Sequence, residues 1–361
     1  MAVANPNRLV LFGLGDLGRR LALAIIIRGG VTELILAGRA TADGVAFAEL
    51  AASCGSTTVR FERVDCCDVD AVTALLRRTR PHVVVQCAAL LSPWAIGSAS
   101  SPVARAIAAA GFALQLPAQF PAILAVMQAV RAAAFRGPVV NCSFPDVTHP
   151  ILARLDCAPT IGIGNVGMIA AAVRSVLRRA GRPDDRVRVV AHHSHVTAAM
   201  TRDRARAVTN THPLVFIDER GTPADELVYS GPGMRSSREL NAVTAQHGVE
   251  VIGALLPDGA QIATSAPGPH GLPGGWPVQI AGGRVELDLP PSLSLDAAVR
   301  ANEAAATGDG LEWIADDGTV YFTEQAVRAV ADVAGELAAP LAPRDCRARF
   351  ALLRHHLLGA A

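Results

Sequence analysis

The sequence predicts an α/β protein: a doubly wound parallel sheet over residues 1–145, followed by an α+β domain over residues 146–361. Three observations predict it. A glycine turn, Gly13-Leu14-Gly15-Asp16-Leu17-Gly18, stands between an apolar run and a helical pattern near the N-terminus. From there to Asn141, short apolar runs alternate with segments of helical period, the mark of a β-α-β series. Beyond Asn141 the texture changes, and 361 residues suit two domains better than one.

Each element follows from its local pattern. Leu9-Val10-Leu11-Phe12 is a strand, and Leu21–Ile27 carries the helix after the glycine turn. Glu33–Ala37 is the second strand, Val45–Ser53 a helix and Thr58–Arg63 the third strand. Asp68 is placed as N-cap of a helix reaching Arg78, with Ala71, Leu75 and Leu76 on one face. His82–Cys87 reads as a buried strand ending in Ala88-Ala89. A helix over 103–110, a short strand over 112–115, a helix begun by Pro121 and a strand over 138–141 complete the first domain. Residues 142–160 hold three prolines and show no clear period. Further helices are expected over 168–177, 237–246, 295–305, 324–337 and 347–357, and strands over 187–193, 214–217, 249–255 and 284–289. The proline- and glycine-rich stretch 266–277 reads as a surface loop, and Asp316-Asp317-Gly318-Thr319 as a hairpin turn.

Strand–turn–helix is the setting in which G-x-G-x-x-G binds a dinucleotide, on a Rossmann domain. Gly13 permits the tight turn, Gly15 lets the backbone approach a pyrophosphate, and Gly18 lets helix pack on strand. Asp16 and Leu17 open the helix, whose free N–H groups and positive dipole end favour phosphate. An acidic residue after the second strand would bind the ribose 2′-OH of NAD, but Gly38-Arg39 stands there. A guanidinium suits the 2′-phosphate of NADP; an ordinary solvated arginine is the plainer alternative. Ala88 and Ala89 are small enough to let the backbone pass close to a cofactor.

Composition excludes several classes. The formal net charge is +1 and aromatics make up 4% of residues, with no basic runs, so no nucleic-acid partner is expected. No membrane span is expected, because Leu21–Ile27 is broken by Arg28-Gly29-Gly30. The first residues lack the basic and apolar regions of a signal peptide, so a cytoplasmic location is expected. The seven cysteines include no C-x-x-C pair and read as free structural thiols. The chain has no lysine, so a Schiff-base lysine and a Tyr-x-x-x-Lys pair are both excluded.

Proton transfer therefore falls chiefly to histidine. His192-His193-Ser194-His195 is the candidate group; read as a strand, it projects His193 and His195 from one face and His192 from the other. Three histidines in four residues also suggest a metal, but no carboxylate or cysteine nearby clearly completes a tetrahedron, so none is assigned. Asn141, at the carboxyl end of a strand, either offers its amide to the nicotinamide ribose or a substrate oxygen, or caps its own turn. Arg202, Arg204, Arg206, Arg235 and Arg238 are the cations available to an acidic substrate.

The order of glycine turn, Asn141 to Asp146, Gly162-Ile163-Gly164-Asn165 and Val189 to His193 resembles the lactate/malate dehydrogenase layout. That family orients its histidine with an aspartate and clamps substrate with an arginine beyond the glycine turn. Val166 to Ala171 holds neither here, and Arg174 is the nearest arginine on that helix. The N-terminal half is similar to saccharopine-dehydrogenase-type reductases through Gly13–Gly18, Leu36-Ala37-Gly38-Arg39, Val64 to Asp68 and Val83 to Ala89. That resemblance implies NADP and a carbonyl, imine or amino-acid-like substrate. The expectation is an NADP-dependent oxidoreductase moving hydride to or from a carbonyl or imine carbon of a small molecule, with His193 or His195 trading the proton. A non-catalytic NADP-binding sensor or docking protein is the alternative. An arginine- and alanine-rich helical surface is compatible with a homodimer.

Overall fold

A computed structural model describes residues 7–99, 101–234 and 237–358. The parallel sheet is built from β1 (Arg8–Phe12), β2 (Glu33–Gly38), β3 (Thr58–Arg63), β4 (Val83–Gln86), β5 (Val139–Asn141) and β6 (Ile161–Gly162). Its order is β3-β2-β1-β4-β5-β6, every neighbouring pair parallel. This is the doubly wound dinucleotide-binding order, with the switch point between β1 and β4. The sixth strand lies past residue 145, so the sheet draws on both of the expected segments.

Side chains alternate across the sheet, as strand geometry requires. Val10, Phe12, Ile35 and Val84 enter one apolar core, and Leu9, Leu11, Leu34 and Val83 the other. α1 (Asp16–Arg28) and α2 (Thr41–Ala52) cover the second face. α3 (Val69–Thr79), α4 (Pro93–Gly97), α5 (Pro102–Ala110) and α6 (Leu116–Ala132) lie on the first. Asp68 caps α3 by accepting from the Ala71 N–H, as expected.

The chain continues through α7 (Pro145–Arg154), α8 (Val166–Arg179), β7 (Val187–Val190), α9 (Val196–Thr201), β8 (Leu214–Ile217), β9 (Thr222–Pro223) and α10 (Leu240–Leu255). Three antiparallel strands follow, β10 (Ile262–Pro267), β11 (Gly275–Ala281) and β12 (Arg284–Leu287). The last elements are α11 (Leu295–Ala306), the hairpin of β13 (Leu311–Ile314) and β14 (Val320–Phe322), α12 (Glu324–Ala334) and α13 (Cys346–Leu358). Leu311, Phe322, Val330 and Leu353 return to the first core beside α6.

Five expectations are corrected. Phe112–Gln115 is a 3-10 turn feeding α6, and Pro121 lies inside that helix, which begins at Leu116 with Pro117 in its first turn. Residues 145–154 form a helix buried almost all round, which erases the period that would have marked it. Val249–Leu255 is the buried end of α10, where a short apolar run looks the same in helix or strand. The stretch 266–277 is largely buried rather than a surface loop, and its two ends are paired strand: Ala266 faces Trp276 across the β10–β11 ladder, with a loop over 268–274 between them.

Among the described residues one helical stretch, Phe112–Ala132, is long and apolar enough to cross a membrane, and it is almost wholly buried inside the protein.

Candidate active site

The glycine turn connects β1 to α1 at the switch point. Gly13 has φ +94°, and a Cβ there would stand 2.5 Å from the Ala88 backbone nitrogen. A Cβ on Gly18 would stand 2.0 Å from the Gly13 carbonyl oxygen, so helix and turn meet only through glycine. At Gly15 nothing lies within 4 Å of that position. No side chain caps α1, leaving its first N–H groups for an anion. Ala88 thus abuts Gly13, as its small size allows.

These residues border a cavity of about 870 Å³, within the range of small-molecule sites. Gly13, Gly15, Asp16, Leu17, Gly18, Gly38, Arg39, Ala88 and Ala89 all line it. Asp16 turns its carboxylate to Arg20 and Asn241, and the Arg20 hydrogen bond leads in holding it below the usual carboxylate range. Arg39 is exposed at the far end of β2, with no hydrogen bond or ion pair among the described residues.

His193 lines the same cavity, but not from a strand. β7 stops at Val190, and residues 193–195 form a 3-10 turn, so the expected one-face pairing of His193 with His195 does not occur. The His193 ring lies 4.4 Å from Phe112 and 5.3 Å from Phe144, centroid to centroid. Phe144 reaches it from a left-handed backbone position, φ 45°, an uncommon conformation for an aromatic residue. His193 Nδ1 sits 2.9 and 3.0 Å from the two carboxylate oxygens of Asp309. Burial opposes charge on the imidazole, but Asp309 outweighs it and raises the His193 pKa above its ordinary value. Burial likewise opposes ionisation of Asp309, yet His193 and His192 hold its carboxyl well below the usual range.

His195 is a different residue. It is buried and absent from the cavity wall, accepting from the His192 N–H on Nδ1 and meeting Thr211 Oγ1 at 3.0 Å through Nε2. Burial pushes its pKa down to about 3, so it is neutral at physiological pH. Asn141 is also fully buried; its amide donates to Ser143 O and Thr148 Oγ1, and its oxygen accepts from the Ser143 N–H. Of the two roles open to it, Asn141 performs the turn-capping one.

No aspartate lies in 166–171; the carboxylate that meets His193 belongs to Asp309, 116 residues further along the chain. Its only sequence signal is its seat between Gly308 and Gly310. A second acid, Asp146 on α7, is buried and hydrogen-bonded by the Asn165 amide; burial raises its pKa against the pull of His192 and His193. Arg174 is no substrate clamp, since its guanidinium donates to Thr264 Oγ1 at 3.2 Å. Arg202 bonds backbone oxygens of Val228 and Ala172, Arg204 pairs with Glu226, and Arg206 with Asp203. Arg235 lies outside the described residues. Asp65, Cys66 and Cys67 hold three potential metal-ligand atoms within 4.8 Å of one another at the Arg39 end, short of a tetrahedral set.

No protein-family model matches the sequence, and the curated proteins yield no match. Among solved structures the chain is similar to the malate dehydrogenase of Aeropyrum pernix, at 17% identity and TM-score 0.49 over 82% of this chain and 97% of that one. It is also similar to MGS-M5, a lactate dehydrogenase from a Medee basin deep-sea metagenome library. There the identity is 13% and the TM-score 0.52, covering 84% of this chain and 96% of that one. Likeness at this level is one of fold: the chain has a Rossmann-type parallel sheet flanked by helices, with small antiparallel sheets added.

Proposed function

We propose that the protein is an NADP-dependent oxidoreductase transferring hydride to or from a carbonyl or imine carbon of a small substrate. One observation carries the reading: His193, hydrogen-bonded to Asp309, stands in the same cavity as an uncapped helix N-terminus behind a glycine turn. The turn fits a dinucleotide, since open space faces Gly15 where a diphosphate would approach. Arg39 is placed to grip a 2′-phosphate, which favours NADP over NAD.

A bound nicotinamide would supply or take the hydride at its C4. Asp309 occupies His193 Nδ1 and so leaves Nε2 to hand a proton to, or accept one from, the substrate heteroatom. Phe112 and Phe144 pack against the imidazole and hold its ring in place. Lactate and malate dehydrogenase neighbours are consistent with such chemistry. The seven cysteines are all free, which supports a reducing, cytoplasmic compartment.

The test is His193→Asn, followed by NADPH oxidation with a panel of carbonyl and imine substrates. Turnover falls by about 10²–10⁴-fold while NADPH affinity is unchanged. Wild-type turnover in the variant removes the histidine from the mechanism.

A further inference from the structure

The histidine end of the cavity carries a charge pattern that bears on what it admits. Among the described residues, the charged groups lining the cavity are Asp16, Arg39, Asp43 and Asp65, with the ionisable His193. Four of them lie by the glycine turn and the ends of β2 and β3, leaving His193 alone at the other end. His193 is already matched by Asp309, and Asp146 adds a second buried acid beside it. Among the described residues, an incoming carboxylate would therefore meet no cation at this end other than an imidazole already paired with a carboxylate. Burying an anion without a partner of its own is strongly unfavourable.

The polar groups that do face this end are uncharged. Gln115 and Gln119 stand one helical turn apart, both more than nine-tenths buried, and both line the cavity with Ser143. Gln119 donates to the Leu91 carbonyl at 3.1 Å, whereas Gln115 Oε1 is a buried acceptor with no partner. Such an atom is costly unless a ligand donor reaches it. Gln115 closes the 3-10 turn that Phe112 opens, so the unpartnered acceptor belongs to the segment whose Phe112 ring packs against His193. Trp94, Leu90 and Pro93 add apolar wall.

Resting on the oxidoreductase reading, we infer that the substrate is an uncharged carbonyl compound bearing an aromatic or apolar group and an N–H or O–H donor for Gln115. A free 2-oxo acid does not fit. This narrows the amino-acid-like substrate implied by the sequence resemblance to one whose carboxyl is masked.

The test compares two ligands that differ in that group alone, phenylglyoxylate and its primary amide, 2-oxo-2-phenylacetamide. Each is titrated calorimetrically into the native protein saturated with NADP⁺, so the answer does not depend on turnover. The amide binds at least about tenfold tighter than the acid. Gln115→Leu, with NADP⁺ affinity retained as the folding control, weakens the amide by about fivefold or more and leaves the acid unaffected. Equal or tighter binding of the acid overturns the inference, as does failure of both ligands to bind. Loss of the oxidoreductase reading is seen separately, as amide binding without hydride transfer.

Discussion

The two ends of the cavity are built from opposite materials. At the glycine end the wall is backbone N–H dipoles and open space kept free by glycines, with Arg39 at its margin. At the histidine end it is made of buried ionisable side chains whose charges are set by one another: His193 upward, Asp309 downward. The contrast teaches where each end is vulnerable. The first fails through bulk, because a single Cβ meets backbone or occupies the ligand's space. The second fails through charge, because removing one partner strands the other in a poorly solvated site.

Adding bulk breaks the glycine end in two distinguishable ways, with the largest effects expected anywhere in the molecule. Gly13→Ala forces a Cβ to within 2.5 Å of Ala88 N at a positive φ, and destabilises the fold by about 3 kcal/mol or more. Gly15→Val meets nothing in the protein and shifts stability by less than about 0.5 kcal/mol, yet abolishes nucleotide binding. Thermal melts with and without NADPH separate them. Should Gly15→Val bind NADPH normally, the diphosphate does not lie at this turn.

How much of this was legible beforehand follows the same divide. The glycine end is local: Gly13 to Gly18 and Arg39 lie within 27 residues, and flanking apolar runs declare their strands and helix. The β3-β2-β1-β4 order needed only the β-α-β series. The histidine end is assembled from residues 112, 144, 146, 165, 193 and 309, and no local pattern links them. His193 was found because so few other proton carriers exist in a chain without lysine. Asp309 was invisible, since its pairing depends on α11 bringing residues 307–309 back to the turn after β7. His195 does not share a face with His193, because the strand ends at Val190 and a 3-10 turn sends His195 into the core.

Charge at the glycine end offers a smaller, sharper test. Arg39 has no protein partner among the described residues, so its removal should cost the fold little. Arg39→Asp weakens NADPH by about 10- to 100-fold, the worth of charge-assisted hydrogen bonds to a phosphate, and leaves NADH nearly unchanged. Fluorescence titration of both cofactors checks it, and equal affinity for NADPH and NADH in the unaltered protein defeats the assignment of NADP.

The smallest expected effect is a displacement along the pH axis. In the reducing direction His193 must enter protonated, so the rate is full below its pKa and falls as pH rises through it. Burial alone would lower that pKa, and Asp309 reverses the sign, so the falling limb lies above the ordinary value of 6.5. In Asp309→Asn the burial remains and the Asp309 counter-charge is gone, so the limb moves to lower pH. A rate measured only at neutral pH would register this as lost activity and hide its cause. The full profile of kcat/KM distinguishes them: a lowered but unshifted limb means Asp309 merely packs, whereas an acid-shifted limb with intact NADPH affinity means it positions and charges the histidine. The cofactor end, held by backbone dipoles, should not register the substitution at all.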